Sequence, residues 1–333
     1  MMRIAVAAVL TALFLSAPAH AQVSPADVAK YQGDGTKLRL MDNPLGTNAF
    51  ARYVMQKYQL PKKYNFDLEI IPYTNTPAQI GILQSGNADI GTLNWIDVSR
   101  LRIAGVNVVG VGPMIKWADH FVVPVNSPIR NVGDLKGKKI GIVNRTNLNW
   151  LVMKTVGLKE YKIDLEKEAQ AVEGGPTLMR GLLELGQVDA ALSFNIFTPG
   201  LLESGKFRVL AKTRDLTIQL GLPDVAFVFY VANGSYAAAH PANIRAFLAA
   251  LREAVAILKT DDQVWHEQAR EMKLDEASVP KLREEMRADL LSSFDAETEP
   301  TVRKTFELLL SNAGHEVLGF RKMPDGFMTM QYQ

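Results

Sequence analysis

The stretch ILQSGNADI at residues 82–90 returns as LLELGQVDA at residues 182–190. Four positions match in type at one constant offset, among them a leucine, a glycine and an aspartate that are identical. In each copy an apolar helix end meets glycine, which adopts the left-handed conformation that closes a helix. A polar residue and a carboxylate then lead into a short apolar strand. The two copies predict two similar α/β lobes with a cleft between them.

The repeat extends beyond this phrase. KLRLM at 37–41 corresponds to KKIGIV at 138–143, and each is a basic start followed by an apolar run of strand length. A polar loop, a helical pattern, a second strand and a second helix follow in both halves, and Pro77 and Pro176 each stand where the second helix begins. This shared order of strands and helices predicts a mostly parallel sheet in each lobe.

The first 21 residues have the pattern of a secretory signal peptide. Arg3 precedes an apolar run from Ile4 to Leu15, and Ala19-His20-Ala21 forms a small-x-small cleavage site. The apolar run is too short for a membrane span. We expect a periplasmic protein whose signal peptide is cleaved after Ala21; the alternative is an uncleaved membrane anchor.

Composition excludes several function classes. The chain has no cysteine, which removes disulfides, thiolate catalysis and cysteine-based metal sites. The five histidines show no metal-ligand spacing, so we expect no metal and no cofactor. With a formal net charge of +2 and interspersed charges, the chain lacks the basic stripe of a nucleic-acid-binding protein.

Two apolar segments outside the repeat predict how the lobes are joined. FVVPV at 121–125 and VAFVFYV at 225–231 are interpreted as two extended connections between the lobes. Lobe 2 then comprises residues 125–228. Lobe 1 combines residues 22–124 with residues 229–333, which carry amphipathic helical patterns from Pro241 onward.

Three segments resemble one known family. SPIRNVGDLKGKKIGI at 127–142, LGQVDAAL at 185–192 and SGNADIGTL at 85–93 are similar to the nitrate/sulfonate/taurine-type substrate-binding proteins of ABC importers. The resemblance implies an α/β, two-lobed periplasmic binding protein fold of type II with two crossover strands between the lobes. It also implies that the lobes close on a small-molecule ligand and that the protein then docks with a membrane permease; we expect a monomer.

Related families with the same fold include enzymes. Desulfinases and pyrimidine-precursor synthases that look similar depend on cysteine or on a Cys/His-rich motif, which this chain lacks. We therefore expect a binding protein rather than an enzyme. Two alternatives stay open: a cysteine-independent enzyme on this fold, and a sensory protein that presents its ligand to a membrane receptor.

The geometry of open α/β sheets selects candidate ligand-binding residues, because ligands bind beyond the carboxyl ends of the strands. Loops in both halves stand at such ends, including residues 73–76, and several run into helix N-termini, which favour anions. The predicted ligand-binding residues are Asp42, Asn43, Tyr73, Thr92, Asn94 and Trp95 in lobe 1, and Asn144, Arg145, Thr146, Asn147, Glu173, Phe194 and Asn195 in lobe 2.

Several of these residues have a structural alternative. Arg145 could bind a carboxylate or sulfonate through paired hydrogen bonds, or be a surface arginine. Trp95 could stack on a ligand or pack internally, whereas Trp117 and Trp150 are expected to pack within the lobes. The polar pair at 146–147 could cap a helix instead of contacting the ligand.

Two carboxylates argue against a bare anion such as nitrate. Glu173 and Asp42 would repel it, but would suit an ammonium group or the N–H donor of a heterocycle; Asp42 could also be a turn residue. With Trp95, Phe194 and Tyr73 nearby, we expect a small organic solute of sulfonate, carboxylate or heterocyclic type.

Overall fold

The computed structural model describes residues 24–74 and 76–333. The predicted signal peptide and its cleavage site lie outside these residues, as does Asn75 in the predicted loop 73–76. No helix in the part that the structure describes combines the length and apolar character needed to cross a bilayer.

The strands form two sheets of the same design. In chain order they are β1 (Lys37–Asp42), β2 (Asp67–Pro72), β3 (Ile90–Asn94), β4 (Val108–Ile115), β5 (His120–Pro124), β6 (Lys139–Ile142), β7 (Gln170–Glu173), β8 (Ala190–Ser193), β9 (Phe207–Lys212) and β10 (Val228–Asn233). The first sheet has the order β2-β1-β3-β10-β4 and the second β7-β6-β8-β5-β9. In each sheet the first three strands are parallel and the fourth is antiparallel to both of its neighbours. The repeat thus produces two mostly parallel sheets, as predicted.

Helices cover the faces of the two sheets. They are α1 (Pro25–Lys30), α2 (Ala49–Lys57), α3 (Leu60–Lys63), α4 (Thr76–Gln84), α5 (Trp95–Ile103), α6 (Leu148–Tyr161), α7 (Leu165–Glu168), α8 (Pro176–Glu184), α9 (Thr198–Glu203), α10 (Thr213–Gln219), α11 (Gly234–Ala239), α12 (Pro241–Thr260), α13 (Gln263–Glu271), α14 (Val279–Asp289), α15 (Thr298–Ala313) and α16 (His315–Leu318). The C-terminal helical patterns correspond to α12, α14 and α15. Helix α15 also packs against α6, so the C-terminal region contacts the layer above the second sheet.

The doubled phrase closes α4 and α8 in the same way. The amide of Asn87 donates to the carbonyl of Ile82 (3.1 Å) and the amide of Gly86 to that of Leu83 (3.2 Å). The second copy repeats both bonds. Gly86 and Gly186 have φ values of +67° and +66°. This is the Schellman arrangement, in which a left-handed glycine lets two orphan carbonyls of the last turn find donors.

The aspartate of each copy ties two strands together. The Asp89 carboxylate accepts the backbone amide of Arg39 (2.8 Å) and is also bound by its guanidinium. Asp189 accepts the amide of Lys139 at 2.8 Å in the same manner. Each aspartate therefore joins the start of β3 or β8 to its parallel neighbour.

The chain crosses between the sheets twice. It leaves the first sheet after β4 and enters the second with β5, then returns from β9 to β10. Trp117 on the first crossing and Phe227 on the second stack with ring centroids 4.3 Å apart. The predicted connections at 121–125 and 225–231 contribute β5 and β10 respectively; the lobe boundaries at 124/125 and 228/229 stay predictions.

Candidate functional site

A cleft of about 1510 Å³ lies between the two sheets. One wall carries residues 42–48 and 92–94, which follow or end β1 and β3; the other carries residues 173–178 and 194–195, at the ends of β7 and β8. The crossings themselves, around residues 114–119 and 227–228, also line the cleft. The cleft thus lies at the carboxyl ends of the parallel strands, which is the position predicted from the order of strands and loops in the sequence.

Most of the predicted residues line this cleft. They are Asp42, Asn43, Tyr73, Thr92, Asn94, Asn144, Thr146, Asn147, Glu173, Phe194 and Asn195. Their contact with a ligand stays a prediction. The structure does not bring Trp95 or Arg145 to the cleft wall.

Trp95 points into the protein interior. It is the first residue of α5 and its side chain is fully buried in the hydrophobic core. Asn94 caps this helix by accepting the amide of Asp97 (3.0 Å), and both of these residues line the cleft. Because successive positions of the first helical turn point in different directions, exposing Asn94 and Asp97 turns the indole toward the core.

Arg145 lies outside the cleft wall and is paired with two carboxylates. Its Nε lies 3.1 Å from a carboxylate oxygen of Glu173, and its guanidinium also binds Glu166, which pairs with Lys154 at 2.7 Å. The hydrogen bond that Arg145 donates to Glu166, together with the negative charge of Glu166, raises the pKa of Arg145. With both acidic partners in place, this arginine presents no unpaired positive charge to an anionic ligand.

Asp42 lines the cleft but already has its partners. Its side chain is 2 % exposed, accepts Arg52 Nε at 2.6 Å and accepts the amide of Asn48 at 2.9 Å. Tyr230 donates in turn to Asn48. Burial raises the pKa of Asp42, and the hydrogen bond from Asn48 and the charge of Arg52 oppose that rise. This carboxylate therefore fixes the loop after β1.

A second polar group, the side chain of Gln79, holds the same wall. Gln79 on α4 donates to the carbonyl of Thr92 (2.6 Å) and to the hydroxyl of Tyr73 (3.1 Å). Burial raises the pKa of Tyr73 to about 12, so its phenol remains protonated at neutral pH. Gln79 is a cleft residue that sequence reasoning missed.

The polar pair at the start of α6 divides between two roles. Asn147 is the N-cap, accepting the amide of Asn149 at 3.0 Å, so the capping alternative holds for this residue. The hydroxyl of Thr146 donates instead to the side chain of Asn144 (2.8 Å). Trp150, in the same helix, is buried, as expected.

Two hydrogen bonds span the cleft. The hydroxyl of Thr47 donates to Asn195 Oδ1 at 2.8 Å, and Arg100 donates to the carbonyl of Thr146 at 3.3 Å. Each joins an element of the first sheet's wall to one of the second's. Arg100 is also paired with Asp97 at 2.9 Å.

Sequence reasoning also missed Asp119 and Asn149, which line the cleft. Asp119 precedes β5, and its carboxylate accepts Asn149 Nδ2 at 2.9 Å and the backbone amide of Asn195 at 3.3 Å. Burial raises the pKa of Asp119 to about 6. Because β5 is antiparallel in its sheet, its first residue stands at the same edge as the carboxyl ends of β6 and β8. The polar residues ahead of this strand were the available signal.

Comparisons with known proteins agree with this architecture. The model of the family described as NMT1/THI5 like matches residues 51–263. The chain belongs to the NMT1/THI5-like family. This confirms the resemblance to nitrate/sulfonate/taurine-type substrate-binding proteins that the sequence motifs indicate.

Individual relatives show how far the likeness extends. A protein of Escherichia coli (strain K12) named for aliphatic sulfonate binding is 28% identical over 204 residues, which cover 60% of this chain and 61% of that protein. The matched segments span 58% to 61% of the length of the curated relatives.

Solved structures confirm the two-lobed fold. The alkanesulfonate-binding protein SsuA from Xanthomonas axonopodis pv. citri, bound to MOPS, superposes with a TM-score of 0.73 at 19% identity, covering 88% of this chain and 98% of that chain. The desulfurization enzyme DSZB superposes with a TM-score of 0.62 at 16% identity, covering 89% of this chain and 97% of that chain. At these identities the likeness concerns the fold alone.

Proposed function

We propose that this protein is the periplasmic solute-binding component of an ABC importer. It captures a small organic solute in the cleft between its lobes and delivers it to a membrane permease. The observation that carries the proposal is the cleft, which both sheets line with the ends of their parallel strands. Membership of the NMT1/THI5-like family and the match to an aliphatic sulfonates-binding protein support it.

The cleft has the size and the mixed polarity of a site for an organic molecule. Its volume of about 1510 Å³ exceeds that of typical pockets for small molecules. Phe194, Phe227 and Tyr73 offer apolar surface among the amide side chains of the walls. A small inorganic anion would leave most of this surface without contacts.

We propose hinge closure as the mechanism. A solute that touches both walls stabilises the closed arrangement by its greater affinity for that state. The two crossings after β4 and β9 are the segments that must absorb the motion, and Trp117 of the first crossing stacks on Phe227 of the second. Closure then presents one rigid surface to the permease.

Native mass spectrometry of the freshly purified mature protein tests the proposal. We expect a bound small molecule that dissociates on unfolding, and restoring it at about a hundred times its Kd raises the unfolding free energy by about 2.7 kcal/mol. The solute should be recovered unchanged after prolonged incubation. Its conversion to a product would support an enzyme, and co-purification with a receptor in place of a permease would support a sensor.

A further inference from the structure

We propose that Asp119 and Asn149 form a hydrogen-bond-acceptor subsite that recognises a cationic, N–H-donating nitrogen group on the solute. An organic ammonium or amidinium group has this chemistry. The inference rests on the proposed solute-binding function and adds the chemical class of the group bound at one place in the cleft.

Asp119 has unused acceptor capacity. Its two carboxylate oxygens each accept one hydrogen bond, from Asn149 Nδ2 at 2.9 Å and from the amide of Asn195 at 3.3 Å, whereas a carboxylate offers about four lone-pair sites. Within residues 24–74 and 76–333, no lysine, arginine or histidine nitrogen lies within 4.0 Å of it. The negative charge is therefore held by dipoles alone.

Asn149 supplies the second acceptor. Its side chain is 1 % exposed and lines the cleft, and its Oδ1 has no hydrogen-bond partner among the described residues. The amide cannot simply be turned over, because Nδ2 must face the Asp119 carboxylate and Oδ1 would repel it. A buried acceptor without a donor costs about 1–3 kcal/mol, which a donor on the solute would recover.

The other charges on the cleft walls are already paired. Each has an opposite charge within 3.1 Å, as in the pairs Asp42–Arg52, Asp97–Arg100, Lys116–Asp224 and Glu173–Arg145. Asp119 is thus the carboxylate of the described cleft wall that lacks a cation. A sulfonate or carboxylate placed against it would meet like charge and no donor, whereas an N–H-bearing cation would satisfy both acceptors.

Asp119→Asn is an isosteric test of this subsite. The new side chain keeps an oxygen for the amide of Asn195 and turns an NH₂ group toward Asn149. Asn149 can then rotate to accept that group with Oδ1, which leaves its own NH₂ facing the cleft. The substitution removes the negative charge of residue 119 and presents the NH₂ group of Asn149 to the cleft in place of its free Oδ1, with little change in side-chain volume.

Isothermal titration calorimetry with benzamidine and benzoate, two planar probes of similar shape and opposite charge, measures the preference. We expect wild type at pH 7.5 to bind benzamidine about tenfold or more tightly than benzoate, the scale of one charge-assisted hydrogen bond. Asp119→Asn should abolish this preference, and Asn149→Ala should reduce it. Asp215→Asn, the same change at an exposed position of α10 outside the cleft, should retain it. Circular dichroism checks that each variant folds.

The outcomes separate this inference from the proposed function. A preference for benzoate, or one that Asp119→Asn leaves intact, overturns the subsite. If neither probe binds while native mass spectrometry shows a bound solute, the subsite is again overturned and the solute-binding function stands. A protein that carries no solute and binds neither probe contradicts both proposals.

Discussion

At the scale of single residues, burial shifts the pKa values of the neighbours Asp119 and His120 in opposite directions. Burial raises the pKa of Asp119 to about 6 and lowers that of His120 to about 4, with Lys212 and Lys281 adding to the second shift. Folded Asp119 holds its proton more tightly than the unfolded chain does, so its contribution to the unfolding free energy falls as pH rises from about 4 to about 6. Folded His120 binds its proton more weakly, so its contribution rises over about pH 4 to 6.5.

Removing either residue should remove its own pH-dependent contribution from the unfolding free energy. Relative to wild type, the unfolding free energy of Asp119→Asn should increase between about pH 4 and pH 6, by up to about 3 kcal/mol for a pKa difference of two units. His120→Gln should show the opposite trend. Urea denaturation at several pH values measures both. A difference from wild type that does not vary with pH would contradict the assignment.

The same residue explains where prediction of the site from sequence reached its limit. The carboxyl-end rule finds the loops after parallel strands, and most of the residues chosen by it line the cleft. It does not consider the start of an antiparallel strand, which stands at the same edge, and so it missed Asp119. Nor can the rule say which way a side chain at a helix start points. It could therefore not decide between ligand stacking and internal packing for Trp95, which is buried.

At the scale of elements, the doubled phrase contains enough local chemistry to specify its own turn. The glycine and the two backbone bonds that it permits all lie within six consecutive residues, and both copies form them. The Asp89 carboxylate accepts its hydrogen bond from the amide of Arg39 in the first strand, fifty residues earlier in the chain. No local pattern identifies that partner, so only the helix end could be predicted in detail.

Replacing the left-handed glycine of this turn should lower the unfolding free energy by a measurable amount. A Cβ at Gly186 would meet no atom within 4 Å, so the effect of Gly186→Ala comes from its φ of +66° alone. We expect a loss of about 1–2 kcal/mol in unfolding free energy. Gly181→Ala in the same helix also meets nothing within 4 Å but needs no left-handed backbone. It should stabilise the protein by about 0.5–1 kcal/mol.

Urea denaturation of the two variants checks this pair. Equal shifts in the same direction would contradict the conformational explanation. Gly86→Ala should resemble Gly186→Ala, since its φ is +67° and the nearest atom to a new Cβ, on Asn233, lies at an ordinary contact distance of 3.8 Å.

At the scale of the whole molecule, the internal repeat predicts the two sheets because the order of strands and helices depends on hydrophobic periodicity and turn residues. The charge pairing across segments could not be predicted in this way. Arg145 follows a strand, as an anion-binding arginine would, but Glu166 and Glu173 reach it from elsewhere in the chain and occupy it. Such pairings depend on the packing of whole elements.

The hydrogen bond from Thr47 to Asn195 offers a test of closure. It joins the two walls at 2.8 Å, and the backbone amide of Asn195 donates a further hydrogen bond to the Asp119 carboxylate. Thr47→Val removes the hydroxyl with little change in shape, so we expect the solute identified by native mass spectrometry to bind about three- to tenfold more weakly, the scale of one neutral hydrogen bond. Small-angle X-ray scattering should show a larger radius of gyration for the variant at partial saturation. Thr260→Val, at the end of α12 and outside the cleft, should change neither quantity. An unchanged affinity in Thr47→Val would mean that this bond does not contribute to the closed, solute-bound state.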